Sequence, residues 1–323
     1  MPKTLYEVLD LTSDATLEEI KAAYRVAVQL YHPDRLQNLG EAVRQAGTEK
    51  LKEANEAHRI LSDPNLRAEY DASIGVKRRS AAKRSTGILT PFVKLDLVTI
   101  PAGKFIMGSR DDNPLAREDE RPQQLVDILY DFRISRTLTT NEEFRNFIRA
   151  TDHAGASVND DLPNHPVVSV SWADAQAYCK WLTRIQRASG AISPNDMVRL
   201  PTEAEWEKAA RGQSGREWPW GDVWEPGRCN TQEAGIRTTT PVGHYSPLGD
   251  SPYGVADMAG NVWEWCQSAP FPYKADDDRR VVRGGSFDRD KRGARCAWRS
   301  SAAPKFRLDY IGFRVVVVPE FGG

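Results

Sequence analysis

The sequence predicts a multidomain chain in which an all-α unit, built on an antiparallel helical hairpin, precedes a larger α+β domain. Three observations carry that expectation. Apolar residues recur at helical spacing between residues 17 and 61 and are interrupted at His32-Pro33 and again at Asp63-Pro64. Basic and small residues without apolar period follow at 77–84. Beyond them, short strand-like stretches and capped helices lead into a region rich in Gly, Pro and Trp.

The 323 residues suffice for two domains, at least one with a full hydrophobic core. A hydrophobic fraction of 40% and a charged fraction of 28% are ordinary for a soluble globular chain. The net charge of −1 gives the whole molecule no bias toward nucleic acid or membrane. No apolar run approaches the roughly 20 residues that a membrane span needs. The start, Met1-Pro2-Lys3-Thr4-Leu5, lacks an apolar h-region, so a cytoplasmic location is expected. Cys179, Cys229, Cys266 and Cys296 are widely spaced and form no C-x-x-C pair, which predicts reduced thiols packed as small apolar groups.

Residues 1–72 read as one unit. Leu17, Ile20, Tyr24, Ala27, Val28 and Tyr31 form the stripe of an amphipathic helix, opened by a Thr16/Glu19 capping box. Pro33 ends it, because the ring disfavours helical geometry at His32 and removes a donor. A second helix is expected from Glu41 to Leu61, with Ala54, Ala57, His58 and Leu61 inward, and a short one from Asn65 to Asp71. Two helices with Tyr31-His32-Pro33-Asp34-Arg35 at their turn resemble the J-domain of DnaJ-type co-chaperones. So do Leu5-Tyr6-Glu7-Val8-Leu9, Ala23-Tyr24-Arg25, Asn55-Glu56-Ala57 and Leu61-Ser62-Asp63-Pro64. The resemblance implies an Hsp70 (DnaK-type) chaperone as partner, contacted through His32, Pro33 and Asp34, with Lys21 and Arg25 on the adjoining basic face. Val26 and Leu30 stand where that family often has Lys, so electrostatic steering is expected to be weaker. Residues 73–91 read as a basic, flexible linker; five of the eight residues from Lys77 to Arg84 are Lys or Arg.

Residues 92–323 read as the α+β domain. Two short strands surround a Gly turn between Leu97 and Ser109. Helices are expected from Thr140 to Ala150, from Ser171 to Arg187 and from Pro201 to Ala210, each opened by a capping residue. The motifs resemble, in order, the formylglycine-generating enzyme family, whose fold is C-type-lectin-like. They are Pro101-Ala102-Gly103, Met107-Gly108-Ser109, His165-Pro166-Val167-Val168 and Arg199-Leu200-Pro201-Thr202-Glu203. After these come Trp218-Pro219-Trp220-Gly221, Gly260-Asn261-Val262-Trp263-Glu264-Trp265, Arg283-Gly284-Gly285-Ser286 and Gly312-Phe313-Arg314. The tryptophans are expected to be core aromatics of that fold.

Catalytic members of that family oxidise a substrate cysteine with a pair of cysteines that bind copper(I), placed just after Gly-Gly-Ser. Here Phe287 to Arg295 contains no cysteine, and Cys296 falls at a scaffold position. Neighbouring arginines would lower the Cys296 pKa, but one thiol does not rebuild the pair. The iron enzymes of this fold need a His cluster, and His153, His165 and His244 are scattered. No catalytic residue is therefore assigned, although an oxidase or a relative with altered chemistry stays as an alternative. The resemblance also implies structural calcium, with Asn261 and Glu264 matching one site and Asn230 and Thr231 the start of another.

A further resemblance is to the variable proteins of diversity-generating retroelements, in which the segment between Gly-Gly-Ser and Gly-Phe-Arg is rewritten on the ligand-binding face. The segment 287–311 has such a frame, with Arg295, Ala297, Arg299, Pro304, Arg307 and Ile311 at scaffold positions. The resemblance places ligand contacts at Asp288, Arg289, Asp290, Gly293 and Trp298. It places others at Ser300, Ser301, Ala302 and Ala303, and the last at Phe306, Leu308, Asp309 and Tyr310. Residues 279–314 hold eleven Lys or Arg and three Asp, a stretch of +8 that would attract an acidic ligand. The expected function is a non-catalytic binder of an unknown protein or other ligand that recruits Hsp70. A plain co-chaperone with a client-binding C-terminal module is the other alternative.

Overall fold

The computed structural model describes residues 4–9, 11–13, 15, 19–21, 23–24, 27–28, 41–74, 76, 93, 95–156, 158–270 and 278–320. Its contacts divide the chain into two units, Met1–Ile88 and Leu89–Gly323.

The first unit is helical. Thr4 caps α1 (Leu5–Val8) through a capping box with Glu7. Residues 19–21, 23–24 and 27–28 are helical within the predicted first long helix; Thr16, at its expected cap, lies outside the described residues. α2 spans Glu41–Ser62 and α3 spans Pro64–Ser73. Ala54, Ala57 and Leu61 on α2 are buried against Tyr6, Leu9 and Ile20, while His58 stacks on Tyr24 with ring centroids 4.0 Å apart. α3 is tied back through Tyr6, whose hydroxyl donates to Asp71 and accepts from Arg67 Nε at 2.8 Å. Ser73, the first residue of the expected linker, closes α3, and Val76 N–H still bonds the Asp71 carbonyl at 2.9 Å. Residues 77–92 of the linker region lie outside the described residues.

The second unit holds three sheets and three helices among its described residues. β1 (Leu97–Ile100), β4 (Phe132–Ser135), β10 (Val316–Pro319) and β5 (Asp196–Arg199) form one antiparallel sheet in the order β1-β4-β10-β5. β2 (Gly103–Met107) and β3 (Gln124–Ile128) pair separately. The two strands predicted around the Gly turn thus exist, but they enter different sheets instead of pairing with each other. The third sheet has the order β8-β7-β6-β9, from β6 (Trp263–Trp265), β7 (Arg280–Arg283), β8 (Arg299–Ala302) and β9 (Ile311–Gly312), with β6 and β9 parallel.

The helices begin where capping chemistry places them. α4 (Asn141–Thr151), α5 (Trp172–Ala188) and α6 (Glu203–Arg211) are capped by Thr140, Ser171 and Thr202, each in a reciprocal box with Glu143, Asp174 and Glu205. The inner face of α5, Ala175, Tyr178, Cys179 and Leu182, repeats at helical spacing and is buried against Phe144, Trp265 and Phe313. A second cluster surrounds Trp206, with Ile100, Phe105, Phe132, Ile134 and Val281. Of the nine tryptophans, Trp181, Trp206, Trp218, Trp263 and Trp265 are buried, as expected of core aromatics, whereas Trp172, Trp220, Trp224 and Trp298 are half-buried.

Candidate ligand-binding site

The segment between β7 and β9 is fastened at both ends and once in the middle by buried arginines. Arg283 donates to Glu203, to Glu207 and to the carbonyls of Ala297 and Cys296. Arg314 clasps both oxygens of Glu264, at 2.6 and 2.8 Å, and reaches four carbonyls from Ser135, Arg136, Ala256 and Asp257. Arg295 does the same to Glu120, at 2.6 and 2.7 Å. Bidentate geometry of this kind fixes orientation as well as charge. Burial alone would raise the Glu120 carboxyl, but the hydrogen bonds and charge of Arg295 outweigh it and hold Glu120 below the ordinary range.

The flanking glycines serve the same frame. A Cβ on Gly285, whose φ is +74°, would stand 2.7 Å from the Gly293 carbonyl oxygen; one on Gly312 would stand 2.4 Å from that of Val167. Backbone approaches backbone there, which accounts for glycine in both flanking motifs.

Within this frame lies a concavity of about 540 Å³. Nine of the thirteen expected contact residues line it. Ser300, Ser301 and Ala302 come from β8; Ala303 and Phe306 follow it; Leu308 and Tyr310 approach β9; Arg289 and Trp298 precede β8. Trp298 is stacked by guanidiniums, with Arg117 at 5.0 Å and Arg295 at 5.5 Å from its ring centroid. Trp263, Val282 and Ile311, all buried core residues, also line it. The concavity is therefore walled by the segment and backed by scaffold. Trp298, Ala302, Leu308 and Tyr310 pack partly on the core, which joins those walls to the fold.

Four expected contacts do not line it. Gly293 is buried beneath Gly285, a correction: it serves the frame and offers no side chain. Asp288 accepts from Ser286 Oγ at 2.5 Å, and Asp290 accepts from Arg292 Nε at 2.8 Å. Asp309 is exposed. Arg117 and Arg279 line the concavity without having been singled out as contacts. Arg117 lies far upstream, and no local signal in the sequence joins it to the segment.

The charge expectation also needs correction. Arg283, Arg295, Arg299 and Arg314 are paired with Glu203, Glu207, Glu120 and Glu264. Arg307 pairs with Asp174 at 2.8 Å. Much of the +8 is neutralised inside the fold by carboxylates from distant parts of the sequence.

All four cysteines are free and buried. Burial pushes the Cys296 thiol up to about 12, with nearby Arg211 and Arg283 pulling the other way. The expected lowering by arginines is overturned, because desolvation of the thiolate outweighs their charge. Among the described residues, no group of three His, Cys, Asp or Glu is placed to hold a metal ion.

The calcium residues are engaged within the protein. Asn261, in the left-handed region at φ 63°, exchanges hydrogen bonds with the Thr240 backbone at 3.0 and 3.2 Å. Glu264 is held by Arg314. Asn230 donates to the Thr238 carbonyl at 2.8 Å, and its buried Oδ1 has no hydrogen-bond partner in the structure. Thr231 is buried next to it. That orphaned oxygen fits an oxygen-seeking cation; Glu264, already bidentate to a guanidinium, fits one less well.

Of the Hsp70-contact residues, Lys21 is helical and half-buried, whereas Arg25, His32, Pro33 and Asp34 lie outside the described residues.

These features define a helical J-type unit joined in one chain to an α+β scaffold of the C-type-lectin-like kind. The chain belongs to the sulfatase-modifying factor enzyme 1-like family, matched over residues 92–318, and carries a DnaJ domain over residues 4–71. It is 34% identical to a formylglycine-generating enzyme of Streptomyces coelicolor, over 67% of this chain and 87% of that one. It is 31% identical to an inactive Cα-formylglycine-generating enzyme 2 of Bos taurus, over 68% of this chain and 87% of the relative. Among solved structures it resembles PvdO from Pseudomonas aeruginosa, with TM-score 0.57 and 28% identity over 68% of this chain and 93% of that one. It shares its fold with Treponema denticola variable protein 1, with TM-score 0.54 and 22% identity over 69% and 95% of the two chains. No helix among the described residues is long and apolar enough to cross a membrane.

Proposed function

We propose that the C-terminal unit is a non-catalytic ligand-binding module whose contact segment is diversified by a retroelement, and that the J-domain brings Hsp70 to whatever it holds. One observation carries this reading: nine residues from a single 25-residue stretch wall one concavity, while the residues that fasten the stretch are buried in ion pairs. Exchange of wall side chains leaves the fastenings alone, which is what a variable binding surface on a rigid scaffold requires. Tyr, Trp and Phe provide large contacts of low entropy cost, and Ser provides adaptable hydrogen bonds.

The oxidase reading is disfavoured by the absence of a cysteine from Phe287 to Arg295 and by the buried, high-pKa thiol of Cys296. Copper-dependent oxygen consumption with a cysteine peptide would restore it. The client-binding alternative predicts broad binding of unfolded chains that ignores changes in the walls. Diversification has a direct test in the neighbouring DNA. A near-copy of the segment's coding sequence, with adenines at the wall positions and a reverse-transcriptase gene beside it, is expected; its absence would remove that part of the proposal. A structural calcium ion at Asn230 and Thr231, where the buried Asn230 Oδ1 has no partner, completes the reading.

A further inference from the structure

We infer that the ligand is an acid-bearing peptide segment of a partner protein, one that sets a carboxylate beside an aromatic or branched aliphatic side chain. The inference rests on the ligand-binding reading above and narrows it. Every charged residue lining the concavity is a cation: Arg117, Arg279 and Arg289. Two of these, Arg117 and Arg279, stand outside the segment 287–311. Rewriting the segment would change the apolar walls and leave those two cations in place. The ligand's charge is therefore chosen by the scaffold, and its individual identity by the walls. Arg117 is paired with Asp119 at 3.2 Å, and Arg289 with Asp288 at 3.7 Å, with exposed side chains. Exposed pairs contribute about 0–1 kcal/mol, so a ligand carboxylate can replace the Asp partner at small cost.

The shape favours an extended peptide. Successive residues of a strand point to opposite faces, yet Ser300, Ser301 and Ala302 all line the concavity. Trp263 on β6, Val282 on β7 and Ser300, the partner of Val282 on β8, line it together, so it lies over one face of the sheet and extends to the outer strand β8. β8 is the terminal strand of its sheet among the described residues, and a terminal strand can accept a further extended chain. Trp298, Phe306 and Tyr310 would take the apolar side chain. Stacking on Arg117 holds Trp298 as one face of that pocket.

The test is selection of a phage-displayed random-peptide library on the full chain, followed by affinity measurements with the enriched synthetic peptides. Enriched peptides are expected to carry Asp or Glu next to an aromatic or branched residue. Their affinity should fall about tenfold in Arg117→Gln and in Arg279→Gln, further in the Glu replacements, and also in Phe306→Ala. Tryptophan fluorescence of each variant confirms that the fold persists. Peptides that need Phe306 but show no acidic bias, or bind equally after both arginine changes, would overturn the acidic class and leave the site standing. Peptides indifferent to Phe306→Ala and to Ser301→Trp would overturn the site itself. If no peptide is enriched, or if only a single-stranded oligonucleotide binds in a Phe306-dependent way, the peptide assignment is wrong.

Discussion

Replacing Arg295 by Met, which keeps side-chain volume while removing the guanidinium, should separate frame from wall. Arg295 and Glu120 are both fully buried at their side chains and bonded at 2.6 and 2.7 Å. The change strands a carboxylate in the interior, at a cost of about 3–5 kcal/mol. Removing both partners, as Glu120→Leu with Arg295→Met, should recover part of that loss, because the fully buried carboxylate is gone; Glu217, the other partner of Arg295, is less buried and keeps its hydrogen bonds from Asn113. Phe306 is 46% exposed, so Phe306→Ala forfeits only part of a phenyl burial, about 1 kcal/mol. Asp309→Ala should stay within about 0.5 kcal/mol. Urea unfolding of the full chain resolves these values cleanly, since all nine tryptophans lie at or beyond Trp172 and report on the C-terminal unit alone. Equal destabilisation by Phe306→Ala and Arg295→Met would refute the separation.

Five other outcomes are expected. Thiol titration of the folded protein should find no fast-reacting cysteine and, after unfolding, all four; one fast thiol in the native state would contradict the burial of Cys296. Glu120 and Glu205 both have folded pKa values below their ordinary value despite burial, through Arg295 and Arg199. Their contribution is therefore complete above the unfolded pKa near 4.5 and is lost as pH falls through the lower folded values, so acid unfolding should show proton uptake there. Gly312→Ala should cost about 1–3 kcal/mol or more, because its Cβ would sit 2.4 Å from the Val167 carbonyl; an unchanged unfolding midpoint would show that the approach relaxes freely. His32→Gln should abolish stimulation of Hsp70 ATPase activity, and calcium should raise the thermal midpoint relative to chelator by the linkage between binding and folding. Unchanged stimulation, or an unchanged midpoint, would remove the corresponding part of the proposal.

Much of the architecture was legible locally. Thr140, Ser171 and Thr202 each precede an acidic residue by three, and each opens a helix. The Pro64 interruption separates α2 from α3, because Pro suits the first turn of a helix and not its interior, whereas the break expected at Pro33 lies outside the described residues. Long-range pairing was less legible. Leu97–Ile100 and Gly103–Met107 look like a hairpin, yet β1 joins β4, as in Leu97 with Ser135, and β2 joins β3, as in Gly103 with Ile128, partners that lie well beyond the turn. β8 was missed because Arg-Ser-Ser-Ala has weak strand preference; its register against β7 imposes the conformation. The binding walls could be placed by their frame, but Arg117 could not, since only the fold carries it to Trp298. The charge of the segment misled for a related reason. Its arginines are visible in one stretch, whereas Glu120, Glu203, Glu207 and Glu264, which neutralise several of them, are spread over the preceding chain.

The most direct test of a fixed frame with exchangeable walls is joint randomisation. Arg289, Ser300, Ser301, Ala303 and Phe306, the lining positions from the segment that do not pack on the core, would be varied together in the full chain. Most variants are expected to keep their unfolding free energy within about 1 kcal/mol while selecting different peptides. A majority that fails to fold, or a set of folded variants that all select the same peptides, would contradict the account.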